Sequence, residues 1–343
     1  MSDPVILFDP HPRMIDQMFS LRDKARLEGL GTVIWHDGSP TPDAVIEKHL
    51  PNTMALIGQT PMTRERLDRA PNLRVIFNVE SNFLPNVDYN ECHHRGIYVL
   101  STSPVFAQPV AEMALGLALA AARRIPQADA AMRTGDESLY GAADSHDSFL
   151  LHGKTLGVLG CGNLGRALLP LLRPFSRDLL VHDPWLHPSV LRDLQVEPVG
   201  FDEIFTRSKV IFIMTATTSE NQGAIGARQF AALQPGSVVV LASRAGVVDF
   251  DALLDAAASG HIRAAIDVYP QEPIPAAHRA RRTPNTVLQA HRAGNVPEIW
   301  TDMGELVADD LEMIFRGLPP QRCQRAMRET VTRIRSMPAG QTR

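Results

Sequence analysis

Leu156-Gly157-Val158-Leu159 is a short apolar run, and Gly160-Cys161-Gly162-Asn163-Leu164-Gly165 follows it directly. A helical stretch from Arg166-Ala167-Leu168-Leu169 comes next, then a second apolar run, Leu179-Leu180-Val181-His182, ending at Asp183. The acid stands 18 positions beyond Gly165. Strand, glycine turn, helix, strand and acid in that order make a dinucleotide-binding unit. Gly160 allows the tight turn, Gly162 lets backbone approach a pyrophosphate, and Gly165 lets the helix sit close to the strand. The pyrophosphate charge would rest on amides at the helix N-terminus, where the macrodipole favours an anion. A purely structural turn is the bland alternative.

Asp183 speaks to which dinucleotide. A carboxylate at that strand end accepts hydrogen bonds from the adenosine ribose hydroxyls and repels a 2′-phosphate. Pro184 and Trp185 follow it, with no Arg or Lys beside them. NAD is therefore expected over NADP.

The 343 residues suffice for two domains with sizeable cores. Charged residues make up 21% and apolar ones 44%, ordinary values for a soluble globular protein. A net charge of −4 gives no electrostatic reason to expect nucleic acid or an anionic membrane as partner. Cys92, Cys161 and Cys323 are scattered and odd in number, which is no disulfide framework and suits a reducing, cytoplasmic setting. Cys92-His93-His94 lacks a second Cys/His cluster and reads as a solvated helix end, so no metal is expected. The N-terminus has no basic-then-apolar signal pattern. The apolar run Met113 to Ala122 is short against the ~20 residues a bilayer needs and reads as a buried helix.

Around the glycine turn, short apolar strands alternate with amphipathic helices, implying parallel, doubly wound sheets. In the first hundred residues the strands are Val5 to Phe8, Thr32 to Trp35, Met54 to Ile57, Leu73 to Phe77 and Ile97 to Leu100. Helices are expected from Met14 to Leu27, after Thr41-Pro42-Asp43 with an N-cap followed by proline, and from Thr63 to Arg69. A long helix, about Ala107 to Arg124, precedes a polar stretch from Gly135 to Ser148. After the glycine turn the strands Val210 to Ile213, Ser237 to Leu241, Ala264 to Val268 and Thr286 to Leu288 continue the second sheet. A helical pattern from Pro297 to Phe315 could cross back onto the first domain. The tail from Pro319 carries six arginines against one Glu, and Met327, Val331 and Ile334 are spaced as an amphipathic helix permits. A solvated or subunit-docking tail is the expectation.

Three charged residues stand just beyond strand ends in the second half. Arg244 follows the strand to Leu241, Glu272 the strand to Val268, and His291 the strand Thr286 to Leu288. Ligands of open parallel sheets bind outside the carboxyl ends of the strands. Reducing a 2-keto acid needs a cation to hold the carboxylate and polarise the carbonyl, which Arg does through its planar fork. It needs a proton donor titrating near neutrality, which His supplies. A carboxylate behind that His fixes its tautomer and favours the imidazolium. Taken singly, each residue could be a surface ion pair or a satisfied loop histidine.

Over about residues 1 to 316 the chain resembles the D-isomer-specific 2-hydroxyacid dehydrogenases. The segments around Gly160, Arg244, Glu272 and His291 match that family's motifs in order and spacing, and Val110-Ala111-Glu112 resembles its signature in the long helix. The resemblance implies a flavodoxin-like substrate domain and a Rossmann NAD-binding domain, both doubly wound, with the active site in the cleft, and usually a homodimer. On this chain the substrate domain would be 1–104 and 298–343, with 317–343 the basic tail, and the NAD-binding domain 105–297. Arg244 would bind the substrate, His291 act as acid/base and Glu272 partner it. Asp267 would contact the nicotinamide amide. Gly160, Gly162, Asn163, Leu164, Gly165, Asp183, Thr218 and Ala242 complete the expected cofactor contacts.

The departures concern the substrate. The family usually has a Gly-x-Gly loop near the end of the first domain, whose amides grip the substrate carboxylate. Here Ser81 and Phe83 stand where the glycines would. Ser81, Asn82 and Phe83 are expected to line the substrate end, with Phe83 reshaping the pocket; the alternative is that Phe83 turns into the first domain's core. Glu80, if it pointed inward, would repel a second acidic group. Gly58-Gln59-Thr60-Pro61 lacks the arginine a phosphorylated substrate would want, which argues against a phosphoglycerate-type enzyme. Met214 stands where the family often has His. Two other functions remain on this fold. One is a dehydrogenase of formate or phosphite, although formate enzymes of the superfamily have Gln where this chain has Glu272. The other is a non-enzymatic NAD-sensing co-regulator, supported by the unusual 80s loop.

Overall fold

A computed structural model describes residues 3–80, 83–140 and 148–335. Ser81, Asn82, most of the polar stretch before Ser148 and the end of the tail lie outside them. The chain divides into two α/β units: Met1–Phe106 with the chain from Val296, and Ala107–Asn295.

The first unit is built on β1 (Val5–Asp9), β2 (Thr32–Ile34), β3 (Thr53–Gly58), β4 (Val75–Asn78) and β5 (Tyr98–Ser101). Their spatial order is β5-β4-β3-β1-β2, all parallel, with the order reversing between β1 and β3. That is the flavodoxin-like arrangement. β1, β3 and β4 are almost wholly buried because helices cover both sheet faces, so their sequences run apolar rather than alternating. The expected helix from Met14 to Leu27 is two helices, Ile15–Met18 and Leu21–Leu30. Ser20 interrupts it, its hydroxyl accepting the Asp23 N–H as a fresh N-cap. Thr41 is not a cap: its N–H donates to Asp9 Oδ1 and its hydroxyl to the Phe8 carbonyl, tying the loop to the end of β1. The helix Pro297–Phe315 packs on β4 and on the two early helices.

In the second unit the strands are β6 (Leu156–Leu159), β7 (Leu179–His182), β8 (Glu197–Pro198), β9 (Val210–Ile213), β10 (Ser237–Leu241), β11 (Ile262–Ile266) and β12 (Thr286–Leu288). They form one parallel sheet, β12-β11-β10-β9-β6-β7-β8, whose order reverses between β6 and β9. This is the doubly wound Rossmann order with an added edge strand, and the reversal is where a ligand crevice opens. The helix Ala107–Arg123 packs on β10 and β11 with Val110, Ala111, Ala114, Leu117, Ala118 and Ala121 inward, at helical spacing. With the turn before it, this segment spans 21 residues and is apolar enough to cross a bilayer by length and composition. Its burial against the sheet accounts for that apolarity.

The tail departs from the helix its spacing permits. After Pro319 the chain forms β13 (Gln324–Arg325), which pairs antiparallel with β5, and then a single turn at Val331–Arg333. Cys323, Ala326 and Val331 are buried. The fully buried Asp310 accepts the N–H groups of Gln321, Arg322 and Cys323 at 2.6, 2.9 and 2.7 Å, fixing where β13 begins.

Candidate active site

At the end of β6, Gly160 has φ +88, and a Cβ there would lie 2.8 Å from the Thr215 backbone. A Cβ on Gly165 would lie 2.2 Å from the Gly160 carbonyl oxygen, so only glycine lets the helix Asn163–Leu172 start this close to the strand. A Cβ on Gly162 would meet nothing within 4 Å, so there is open space beside the turn. Asn163 and Leu164 form the first turn of that helix. Asp183 closes the crevice: its Oδ2 accepts the Cys161 N–H at 2.7 Å and its Oδ1 the Trp185 N–H at 2.9 Å. Each oxygen keeps lone-pair capacity for a ribose hydroxyl. A glycine turn with open space beside it, a ten-residue helix behind it and a carboxylate held at the second strand end suit a dinucleotide.

Two cations here were not apparent from the motif. Arg166 donates from Nε to the Cys161 carbonyl at 3.1 Å, placing positive charge at the glycine turn. Arg192 lines a cleft of about 390 Å³ with Asp183, Leu186, Leu191 and Pro198. It is nine positions from Asp183, and the intervening turn and helix bring it back to the same cleft.

The chemistry-bearing residues share the carboxyl edge of the same sheet. His291 Nδ1 lies 2.5 Å from Glu272 Oε2. The other Glu272 oxygen accepts the Tyr269 N–H at 2.8 Å. Burial alone would raise the Glu272 carboxyl; the His291 hydrogen bond, the Tyr269 N–H and the charges of His291 and Arg244 outweigh it and hold the group below its usual range. Arg244 is half-buried, with Nη1 donating to the Ser243 carbonyl at 2.7 Å. Burial pushes the Tyr269 phenol up to about 12, and its O–H donates to the Gln289 carbonyl at 2.6 Å, two residues before His291.

Asp267 is fully buried just beyond β11. Its carboxylate accepts the N–H groups of Arg292 and Ala293, the loop that carries His291. Thr218 is also buried, its N–H on Asn221 Oδ1 and its hydroxyl accepting the Glu220 N–H, so it organises a turn. Ala242 is buried directly after β10, and Met214 after β9 donates its N–H to the Leu159 carbonyl. Among the described residues no three His, Cys, Asp or Glu side chains group as a metal would require. Cys92 and His93 lie in the helix Tyr89–Arg95, where Cys92 is buried and His93 Nε2 is 3.0 Å from the Ala326 carbonyl. This helix end is docked against the tail rather than fully solvated.

In the first unit Ser81 and Asn82 lie outside the described residues. The expectation that Phe83 walls a pocket is corrected. Its ring is 7% exposed, sits in the core with Ile76, Leu67 and Cys92, and meets Tyr89 edge-on at 6.3 Å. Burying a large apolar ring outweighs leaving it in a loop mouth. Glu80 does not present a bare charge. It is nearly buried and paired with Arg13 at 3.2 Å, whose guanidinium lies 4.6 Å over the Trp300 ring.

Comparison with known proteins agrees with this geometry. Residues 115–293 match the family model described as D-isomer specific 2-hydroxyacid dehydrogenase, NAD binding domain. A glyoxylate reductase of Korarchaeum cryptofilum is 31% identical over 291 residues, 84% of this chain and 87% of that protein. A D-3-phosphoglycerate dehydrogenase of Archaeoglobus fulgidus is 32% identical over 275 residues; the chain spans about half of its length, 51%. The crystal structure of a phosphoglycerate oxidoreductase from Rhizobium etli is 41% identical with a TM-score of 0.85, covering 96% of this chain and 99% of that one. The chain belongs to the D-isomer-specific 2-hydroxyacid dehydrogenase family.

Proposed function

We propose that this protein is an NAD-dependent oxidoreductase interconverting a 2-keto acid and a D-2-hydroxy acid. The observation that carries the reading is the 2.5 Å His291–Glu272 pair on the sheet edge that also bears the glycine turn and Arg244. NADH, when bound, supplies the hydride that reduces the keto carbon. Glu272 takes the Nδ1 proton of His291 as its hydrogen-bond partner, which leaves Nε2 to give a proton to the carbonyl oxygen in reduction and take it back in oxidation. The Arg244 guanidinium holds the substrate carboxylate and draws charge from the carbonyl. Asp183 selects NADH over NADPH.

The three buried, unpaired thiols fit a cytoplasmic protein. Exposed Ile125 and Met132, seven apart on the helix Ile125–Thr134, fit burial against a second copy in a homodimer; light scattering tests that. The activity test is NADH oxidation against a panel of glyoxylate, pyruvate, hydroxypyruvate, 3-phosphohydroxypyruvate and 2-ketoglutarate. Turnover of at least one is expected. The phosphorylated member tests the absence of an arginine from Gly58-Gln59-Thr60-Pro61 against the likeness to the phosphoglycerate oxidoreductase. Oxidation by none would overturn the proposal and favour an NAD-sensing co-regulator.

A further inference from the structure

His291 has φ +51, the left-handed region that a residue other than glycine rarely occupies. Three successive N–H groups begin there, and all three go to one residue. His291 N–H donates to the Asp267 carbonyl at 2.8 Å, Arg292 N–H to Oδ1 at 2.9 Å and Ala293 N–H to Oδ2 at 3.1 Å. Successive N–H groups turned inward by a left-handed residue form an anion-binding nest. Here the occupant is internal: Asp267 is 0% exposed and Ala293 3%. The strained backbone and the buried carboxylate therefore account for each other, since each removes the other's cost.

We propose that Asp267 is a positioning residue for the acid/base, its carboxylate accepting the Arg292 and Ala293 N–H groups and its main-chain carbonyl that of His291, and so holding His291 in the conformation that aims its ring at Glu272. This rests on the reading of His291 as acid/base. Without the carboxylate the left-handed conformation keeps only the His291 N–H bond to the main-chain carbonyl of residue 267. His291 then relaxes to ordinary backbone angles, and Nδ1 leaves Glu272. The role differs from a contact with the nicotinamide amide, because it acts before any cofactor binds.

The full chain carrying Asp267→Ala lacks the carboxylate, whereas Asp267→Asn keeps its shape and one acceptor oxygen. In cofactor-free protein labelled with ¹³C-histidine, the His291 Cα and Cβ shifts report φ, with the signal assigned by its loss in His291→Ala. Both variants are expected to move these shifts toward ordinary backbone values, Asn by less. Asp267→Ala is expected to lower kcat by about 100-fold while leaving NADH affinity by fluorescence titration nearly unchanged. Adding Glu272→Gln to Asp267→Ala should cost little more, because coupled residues are not additive. Unchanged His291 shifts would overturn the proposal, as would NADH affinity falling in step with kcat. The shift measurement needs no turnover, so it decides even if the wild type reduces no 2-keto acid. If Asp267→Ala fails to fold, Asp267→Asn decides by the same shifts.

Discussion

Asp267 and Asp310 are both fully buried, and each directs its two carboxylate oxygens to backbone N–H groups of a later segment. Around Asp310 the held segment also buries Cys323, Ala326 and Val331 and pairs with β5, so packing and the clamp act together. Around Asp267 the held segment carries His291, whose side chain is 45% exposed and whose backbone is left-handed. One local device serves a sheet edge in the first unit and a reactive side chain in the second. The difference lies in how much apolar surface shares the load.

This contrast is sharpened most by His291→Ala, expected to lower kcat by roughly 10²–10⁴-fold with the melting temperature and NADH affinity nearly unchanged. A large loss of melting temperature would break it, by making the second segment structural as well. Next comes Phe83→Gly in the first unit. Loss of a core ring is expected to cost about 3–5 kcal/mol in denaturant unfolding, while relative kcat/KM across the keto-acid panel stays as it was. A rearranged substrate order would return Phe83 to the pocket. Asp310→Ala takes the acceptor from three N–H groups, of which the Cys323 N–H is buried, and is expected to cost on the order of 1–3 kcal/mol, with kcat of the folded protein unchanged.

Smaller effects belong to the second unit. NADH is expected to bind about tenfold tighter than NADPH because of Asp183, and Arg192→Glu should widen that gap by adding a second negative group at the cleft. Equal affinities in a fluorescence titration would remove Asp183 from discrimination. For Glu272 the sign follows from a carboxyl held low in the folded state. Its contribution to stability is present above the ordinary glutamate value and is lost as pH falls through the folded-state value. The melting difference between wild type and Glu272→Gln should therefore be full at pH 7 and vanish on acidification. Without the counter-charge, the limb of the pH–rate profile that requires imidazolium should move to lower pH. An unshifted profile would mean that the pair does not act in turnover.

The glycine turn, Asp183 and the Arg244, Glu272 and His291 set were legible in the chain because each is local. Spacing alone puts them at a turn or just past a strand, and a parallel sheet gathers strand ends along one edge. The helix break at Ser20 had a local signal too, an N-cap hydroxyl in the middle of an apolar pattern. What was not legible depended on partners far away in sequence. Met327, Val331 and Ile334 allow a helix, yet the Asp310 clamp and the open edge of β5 made a strand. Glu80 reads as a bare acid until Arg13 is beside it.

Two α/β units, a dinucleotide crevice and the side chains at its edge could be read from the chain alone, since hydrophobic period and turn chemistry are properties of neighbouring residues. Packing between distant segments turns Phe83 inward, returns Arg192 to the cleft of Asp183 and sets two buried aspartates to accept backbone N–H groups. Those outcomes follow from burial and from the pairing of buried polar groups, and both are settled by whatever the fold brings alongside.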